Sequence, residues 1–261
     1  MTDLHLQTNQ RAWASLAQNK CESSVPLNAT HLSVARSLLD PLGWLPWQKI
    51  GHVLCLASAG GQQGPAFASL GCRVTVFDLS ADQLSVDRAA AEKFGYDLEL
   101  VQGDMTDLSR LHGRGFDLVY QAISALYVPD VERLYREVGR VLRPGGLYRV
   151  EHLNPTHIQV DDEWPWDGYA YRLVRPQGTG QPVPLSWWVK DAQGRQVPVE
   201  LDHFAHTLDQ LIGGLPRAGF DIVNFAERTV GDPADQPGSY AHMYSYLPPY
   251  LELLARRRSR R

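Results

Sequence analysis

The sequence predicts an α/β protein in which a mainly parallel sheet carries helices on both faces. From Gly51 onward, short apolar or β-branched runs alternate with helical patterns, as expected for repeated βαβ units. Capping and glycine signals mark the ends of the predicted helices. The alternation is interrupted between residues 154 and 200, where six prolines and four of the seven tryptophans indicate an inserted, β-rich cap.

The elements are predicted in chain order from these signals. Two helices are expected over 7–18 and 30–39, before the first strand. The predicted strands cover 52–57, 73–79, 98–102, 116–122, 147–153, 220–226 and a final stretch within 246–256. Capping-box pairs open two of the helices between them, one at Ser80 and Gln83 and one at Thr207 and Gln210. The helix that starts near Val131 is expected to end at 144–146, and residues 190–195 predict a hairpin turn in the cap.

Composition narrows the protein class. The 261 residues suit one core with an insertion, and the net charge of -4 provides no general attraction to nucleic acid. Three cysteines without a CxxC pair indicate a reducing cytoplasm and predict no metal site. Residues 1–10 lack signal-peptide features, and no apolar run has the length of a membrane span. We therefore expect a cytoplasmic protein that binds neither membranes nor nucleic acid; its oligomeric state is not predicted.

Three consecutive strand ends carry residues suited to an adenosine-containing ligand. The glycine-containing loop 57–64 lets a ligand approach the backbone at a helix N-terminus. Asp78 ends the second strand, where a carboxylate can accept both ribose hydroxyls. Both features also occur in dinucleotide-binding Rossmann proteins. Gly103-Asp104-Met105 follows the third strand and offers a carboxylate and an apolar side chain to an adenine ring.

The segments 53–61, 76–80, 103–105, 116–119 and 142–146 resemble, in order and spacing, the motif set of class I S-adenosylmethionine-dependent methyltransferases. The resemblance covers residues 51–153 and, more loosely, 202–256. It implies a Rossmann-like, doubly wound seven-stranded sheet whose last strand is antiparallel. It also implies that S-adenosylmethionine binds at the carboxyl ends of strands one to four and leaves as S-adenosylhomocysteine.

The resemblance assigns the cofactor contacts residue by residue. Ala57, Ala59 and Gly61 stand at the three glycine positions of the family's first motif, and Cys55 stands where an acidic residue is usual. Alanine is tolerable there where the backbone is not left-handed. Polar groups of the two glutamines in the loop and the backbone carbonyl of Gln121 are expected to replace the missing acidic contact. The predicted cofactor-binding residues are Ala57, Ser58, Ala59, Gly61, Gln62, Gln63, Asp78, Leu79, Gly103, Asp104, Met105, Gln121 and Ala122.

The predicted organisation combines the resemblance with the insertion. Residues 51–153 and 201–256 form the S-adenosylmethionine-binding core, and residues 154–200 form an inserted substrate cap. Residues 1–50 form a helical segment that covers the active site, because methyltransferases of this class often close such a helix over the cofactor. Residues 257–261 form a basic tail, expected to be solvated and disordered.

Methyl transfer is an in-line displacement at a sulfonium methyl group, so positioning can supply most of the acceleration. An O, N or S nucleophile that carries a proton needs a group to receive it, and histidine suits neutral pH. The candidates His152, His203, His206 and His242 each have a structural explanation as well; His152 is best placed, at a strand end. Tyr127 is expected to pack over the methionine moiety or to orient the acceptor. The predicted catalytic residues are His152, Tyr127 and His206.

The cap aromatics either enclose an apolar or cationic acceptor or form a small core of the insertion itself. They are Trp164, Trp166, Tyr169, Tyr171, Trp187 and Trp188. The predicted substrate contacts are Trp13, Tyr171, Trp188 and His242. A small-molecule acceptor is favoured, because residues 121–124 lack the Asn/Asp-Pro-Pro-aromatic motif of amino-methylating DNA enzymes. The alternatives are a non-catalytic S-adenosylmethionine-binding regulator and, on the loop and Asp78 alone, a nicotinamide-dependent oxidoreductase.

Overall fold

A seven-stranded sheet forms the centre of the molecule in the computed structural model, which describes residues 4–161, 166–191 and 193–259. Its strands are β1 (His52–Leu56), β2 (Arg73–Asp78), β3 (Leu98–Gln102), β4 (Phe116–Gln121), β5 (Leu142–Leu153), β8 (Phe220–Arg228) and β9 (Tyr250–Arg257). They are ordered β3-β2-β1-β4-β5-β9-β8. Strand β9 is antiparallel to both of its neighbours, and the other pairs are parallel. The predicted doubly wound, seven-stranded fold with an antiparallel last strand is confirmed.

Helices cover both faces of this sheet. They are α1 (Leu4–Gln18), α2 (Ala29–Ser33), α3 (Ala35–Leu39), α4 (Gln63–Ser69), α5 (Ala81–Phe94), α6 (Val131–Val141), α7 (Pro155–Gln159), α8 (Gly214–Arg217) and α9 (Tyr240–Tyr246). On the face that carries α6 and α8, the buried core includes Leu54, Tyr135, Tyr148 and Phe220. The opposite core includes Cys55, Phe67, Leu118 and Tyr120. Within the described ranges, no helix has the length and hydropathy needed to cross a bilayer.

The predicted helix over 30–39 is two short helices in the structure. The break falls at Val34, whose φ of −116° and ψ of 22° are not helical. The preceding residue, Ser33, donates its hydroxyl to the Thr30 carbonyl at 2.7 Å, a local bond that competes with the helical ladder. The sequence pattern of residues 30–39 predicted one continuous helix and did not indicate this break.

Two further boundaries differ from the prediction. The helix opened by Thr207 and Gln210 keeps its capping box, but residues Asp209–Gly213 form a π-helical turn before α8. Pro216 in α8 has no N–H to donate to the preceding turn, which shortens the regular helix. Helix α6 ends at Val141, and 144–146 lie in an irregular start of β5 rather than at a helix end.

The segment between β5 and β8 contains the second sheet, a hairpin of β6 (Val183–Lys190) and β7 (Gln196–His203). Strand β7 therefore continues past residue 200, the predicted end of the cap. Helices α7 and α9 were not predicted. Arg257 ends β9, and Arg258 pairs with Asp221 at 2.7 Å, so the ordered chain extends into the predicted tail.

Candidate active site

The carboxyl ends of β1 to β4 converge on a narrow cavity, called here the cofactor cavity. Its walls come from the loops after those strands and from α1, which lies across the opening. They are Leu6, Asn9, Trp13, Ala57, Ala59, Phe77, Asp78, Leu79, Gly103, Asp104, Met105, Ser124, Tyr127 and Val128. The sheet order reverses between β1 and β4, and open α/β sheets bind ligands at such a switch point.

Asp78 supplies a buried carboxylate to this cavity. Its side chain accepts the Ser80 N–H at 2.9 Å, and burial raises its pKa to about 6 against the opposing effect of backbone donors. Asp104 also borders the cavity and accepts both the N–H and the hydroxyl of Thr106, at 2.9 and 2.7 Å. A buried acceptor between the apolar side chains of Phe77 and Met105 fits an adenosine, because adjacent ribose hydroxyls need an acceptor and the adenine ring needs apolar contact.

The loop after β1 has an unusual backbone. Ala57 and Ala59 have φ values of 47° and 56°, so both alanines at the motif's glycine positions adopt the left-handed conformation. The condition under which alanine was expected to be tolerable is therefore not met, and each residue costs about 1–2 kcal/mol. Cys55, at the usual acidic position, is fully buried, and burial raises the pKa of its thiol well above the ordinary value. It remains an uncharged thiol.

Helix α5 holds this strained loop in place. Gln83 accepts the Gly60 N–H at 2.8 Å, and Asp87 accepts the Gly61 N–H at 2.8 Å. A Cβ atom at Gly60 would lie 2.5 Å from the Gln83 carbonyl oxygen, so only glycine fits. The amide nitrogen of Gln83 donates to the backbone carbonyl of Trp13 in α1, at 2.8 Å. The buried side chain of Gln83 thus connects the loop to helix α1, which lies across the opening of the cavity.

Replacing both left-handed alanines with glycine should stabilise the protein. The variant Ala57→Gly/Ala59→Gly relieves the strain but adds freedom to the unfolded chain, and we expect a net gain of about 1 kcal/mol in the free energy of unfolding. Urea denaturation measures this difference. Ala68→Gly, inside α4, is the matched control and should lose about 1 kcal/mol. A loss of stability in the double variant would show that the left-handed backbone of the two alanines does not destabilise the protein.

A second, larger cavity of about 740 Å³, called here the acceptor cavity, adjoins the first. Trp13, Ala57 and Ala59 border both cavities. Ser58, Gln62, Gln63 and Ala122 border the acceptor cavity, together with Trp188. Some of the predicted cofactor-binding residues thus border the cofactor cavity, and others border the acceptor cavity. Gly61 and Gln121 border neither: Gly61 packs against Pro26, and the side chain of Gln121 donates to Ser124 at 2.8 Å.

The structure places two of the three predicted catalytic residues away from both cavities. His152 lies on the α6 face of β5, 3.0 Å from the Tyr135 hydroxyl, and it borders a small third cavity together with His206. Burial lowers the pKa of His152 to about 3, and it also lowers the pKa of His206. These two neutral histidines are packed into the core and contact neither cavity, so the structure gives them no contact with a substrate.

Tyr127, the third predicted catalytic residue, does border the cofactor cavity. Its ring lies between Trp13 and Trp187, with centroid distances of 5.9 and 6.3 Å. Its hydroxyl is buried and has no hydrogen-bond partner among the described residues, and burial raises its pKa above the usual range. A neutral phenol therefore lies at the junction of the two cavities.

The cap aromatics separate into two groups. Trp187 and Trp188 border the acceptor cavity. Tyr171 and His242, predicted substrate contacts, instead bond to each other at 2.6 Å within an aromatic cluster that includes Trp166. That cluster fits the alternative of a small core within the insertion. Tyr169 is 91% exposed, and Trp164 lies outside the described residues.

Several residues at the site were not predicted. Asn9, Gln83 and Asp87 were missed because their roles depend on contacts between distant segments. The acceptor cavity also has wall residues from α7, α9 and β9, whose position around it only the tertiary structure reveals. They are His157, Ile158, Tyr240, Met243, Tyr244 and Tyr250.

The fold and the site define a protein that binds an adenosine-containing cofactor at the end of a Rossmann-like sheet. A profile described as a methyltransferase domain matches residues 54–150. The chain is 34% identical over 206 residues to the uncharacterized methyltransferase YbaJ of Bacillus subtilis, an alignment that covers 78% of each chain. The CcbJ methyltransferase of Streptomyces caelestis shares the fold with a TM-score of 0.63, at 17% identity over 98% of both chains. An S-adenosylmethionine-dependent methyltransferase of Mesorhizobium loti gives 0.56, at 22% identity over 88% of this chain and 99% of that one.

This chain belongs to the class I S-adenosylmethionine-dependent methyltransferases, and the enzyme uses S-adenosylmethionine as its cofactor. The nicotinamide and non-catalytic alternatives are set aside by this membership.

Cofactor binding should depend on pH through Asp78. Its pKa of about 6 means that the carboxylate loses its charge, and one acceptor position, below that pH. We expect the affinity for S-adenosylhomocysteine to fall by up to about tenfold per pH unit below pH 6. Calorimetric titrations between pH 5 and pH 8 measure the effect, with Asp78→Asn as a variant whose affinity should not change with pH. A flat profile for the parent enzyme would contradict the assignment.

Proposed function

We propose that this enzyme transfers the methyl group of S-adenosylmethionine to a small-molecule acceptor held in the acceptor cavity. The observation that carries the proposal is the junction of two cavities at Trp13, Ala57 and Ala59. A volume of about 740 Å³ suits a small organic molecule beside the methionine end of the cofactor, since ligand pockets commonly measure about 300–1,000 Å³.

The residues of the two cavities have distinct roles in this proposal. Asp78 binds the ribose hydroxyls, and Leu79, Gly103, Asp104 and Met105 surround the adenine ring. Ala57, Ser58, Ala59 and the two loop glutamines contact the methionine end, with the backbone of Ala122 nearby. When bound, the cofactor supplies an electrophilic methyl group on a sulfonium.

The remaining task of the chain is to orient the acceptor and to exclude water. Helix α1 covers the junction, and Asn9 fastens it to β7 through two bonds with the Asp202 backbone, at 3.0 and 2.8 Å. Trp13 borders both cavities, and Tyr127 packs against it with a ring-centroid distance of 5.9 Å. Positioning of this kind can supply most of the rate enhancement of a displacement reaction.

Incubation of the enzyme with S-adenosylmethionine and a broad panel of small hydroxyl, amine and thiol compounds tests the proposal. We expect at least one compound to gain one methyl group, detected by mass spectrometry, with equimolar formation of S-adenosylhomocysteine. Product formation only with RNA, DNA or protein would contradict a small-molecule acceptor.

A further inference from the structure

Among the described wall residues of the acceptor cavity, every charged side chain has a partner of opposite charge. Of its described wall residues, Glu151 and Asp161 are the charged ones, and neither lysine nor arginine contributes. Glu151 pairs with Arg149 at 3.2 Å and with Arg228 at 2.5 Å. Asp161 lies 3.7 Å from Arg172. An anionic acceptor would lose its hydration without gaining a cation, and a cationic one would meet carboxylates that are already paired.

Most of the described wall surface is aromatic and apolar, beside the polar residues Ser23, Ser58, Gln62, Gln63 and Ser186. Among the described residues, six large aromatic side chains border the cavity, and they come from α1, the hairpin, α9 and β9: Trp13, Trp187, Trp188, Tyr240, Tyr244 and Tyr250. Leu153, Leu185 and Val189 add aliphatic surface. Such walls bind uncharged rings through the burial of apolar area and through offset or edge-to-face contacts.

Two described wall residues have a buried hydrogen-bonding atom without a partner: Gln63, which the proposed function places at the methionine end of the cofactor, and His203. His203, at the end of β7, is 1% exposed, and its Nδ1 lies 2.9 Å from the Leu201 carbonyl oxygen. A carbonyl can only accept, so in the neutral ring Nδ1 carries the hydrogen and Nε2 is left as an acceptor. Nε2 is buried and has no partner among the described residues. A buried acceptor of this kind costs about 1–3 kcal/mol unless something binds to it.

His203 also lies next to the junction of the two cavities. Its ring centroid is 5.4 Å from that of Trp187, which borders the acceptor cavity, and 5.4 Å from that of Tyr127, which borders the cofactor cavity. A group bound to Nε2 would therefore be close to the place where the acceptor meets the cofactor.

We propose that the acceptor is an uncharged, largely apolar molecule with a hydroxyl group, and that His203 Nε2 accepts the hydrogen bond of that hydroxyl and receives its proton during transfer. This inference rests on the proposed function. As the oxygen–carbon bond forms, the carbon–sulfur bond breaks with its electron pair going to sulfur, and the hydroxyl proton moves to Nε2. The alkylated oxygen is a far stronger acid than an imidazolium, so even a weakly basic histidine can take this proton. Burial lowers the pKa of His203 to about 4, which keeps the ring neutral at physiological pH.

Three matched probes test the proposal in calorimetric titrations of the enzyme saturated with S-adenosylhomocysteine. They are 2-naphthol, which is neutral and donates a hydrogen bond, 2-methoxynaphthalene, which is neutral and does not, and the anion 2-naphthoate. We expect 2-naphthol to bind at least about tenfold more tightly than either of the others. In His203→Phe and His203→Gln, the affinity for S-adenosylhomocysteine should not change. His203→Phe should remove the advantage of 2-naphthol over its methyl ether.

A gain-of-function variant adds a second arm. Ser186→Arg places a cation in the cavity wall and should allow 2-naphthoate to bind. Equal binding of 2-naphthoate and 2-naphthol to the parent enzyme, or no binding of any probe, would overturn the proposal. A preference for 2-naphthol that survives in His203→Phe would also overturn it. So would tighter binding of a fourth, cationic probe, the ammonium form of 2-(aminomethyl)naphthalene, than of 2-naphthol. A failure of the parent enzyme to bind S-adenosylhomocysteine would count against the proposed function instead.

Discussion

Asp78→Ala should weaken the binding of S-adenosylhomocysteine at least about 100-fold. The carboxylate is a buried acceptor in the cofactor cavity, where we propose that it binds both ribose hydroxyls, and each hydrogen bond to a charged group contributes about 1.5–3 kcal/mol. Two hydroxyls share this one side chain, so their contributions are lost together. Isothermal titration calorimetry at pH 8, where Asp78 is ionised, measures the change.

A stability measurement separates this effect from misfolding. The pKa of Asp78 is higher in the folded protein than the ordinary value, so its contribution to stability is present at low pH and is lost as the pH rises through about 6. Asp78→Asn should therefore be at least as stable as the parent at pH 8, although it binds the cofactor poorly. Asp97→Ala, which removes an exposed carboxylate before β3, should change neither property. If Asp78→Ala bound S-adenosylhomocysteine as tightly as the parent enzyme, Asp78 would not be the residue that binds the ribose.

Glu252→Ala should lower the free energy of unfolding by about 3 kcal/mol or more. Glu252 in β9 is 1% exposed and pairs with the buried Arg149 of β5 at 2.6 Å. The loss of one partner leaves a buried guanidinium with Glu151 alone, at 3.2 Å, and uncompensated buried charge is strongly destabilising. Urea denaturation provides the measurement.

Two comparison variants show whether charge is the cause. Glu252 also pairs with Arg228 at 2.9 Å. The double variant Arg149→Met/Glu252→Leu removes the Arg149–Glu252 pair and leaves Arg228 with Glu151 at 2.5 Å. It should be more stable than Glu252→Ala, because buried ion pairs can be exchanged for apolar pairs at little cost. Asp221→Ala breaks the exposed pair with Arg258 and should change stability by less than about 1 kcal/mol. If Glu252→Ala lost no more than Asp221→Ala, the network would not stabilise the sheet.

The order of strands and helices could be predicted because it depends on local patterns. The strands of the sheet were found from short apolar runs, and the caps at Ser80 and Thr207 were found from side chains three residues apart. The break at Val34 and the early start of β5 were missed, because a local hydroxyl bond and a register shift decide them. The spacing of apolar residues along the chain carries no information about such interactions.

The site was predictable along the sheet edge but not across its faces. Asp78 and Met105 were located because strand ends in a parallel sheet meet at one edge. His152 shares that edge, yet its side chain points to α6, while its neighbour Glu151 points to the acceptor cavity. Side chains alternate along a strand, so a position at a strand end does not determine the face. Of the four candidate histidines, His203 is the one with a buried nitrogen that lacks a partner among the described residues, which the sequence does not show.

The two hydrogen bonds between Asn9 and Asp202 connect helix α1, which borders the cofactor cavity, to the hairpin that borders the acceptor cavity. Trp13, on the same helix, forms part of both walls. Any ligand that changes the position of this helix therefore changes the space open to the other ligand. Thermodynamic linkage then requires reciprocity: the factor by which bound cofactor alters acceptor affinity equals the factor by which bound acceptor alters cofactor affinity.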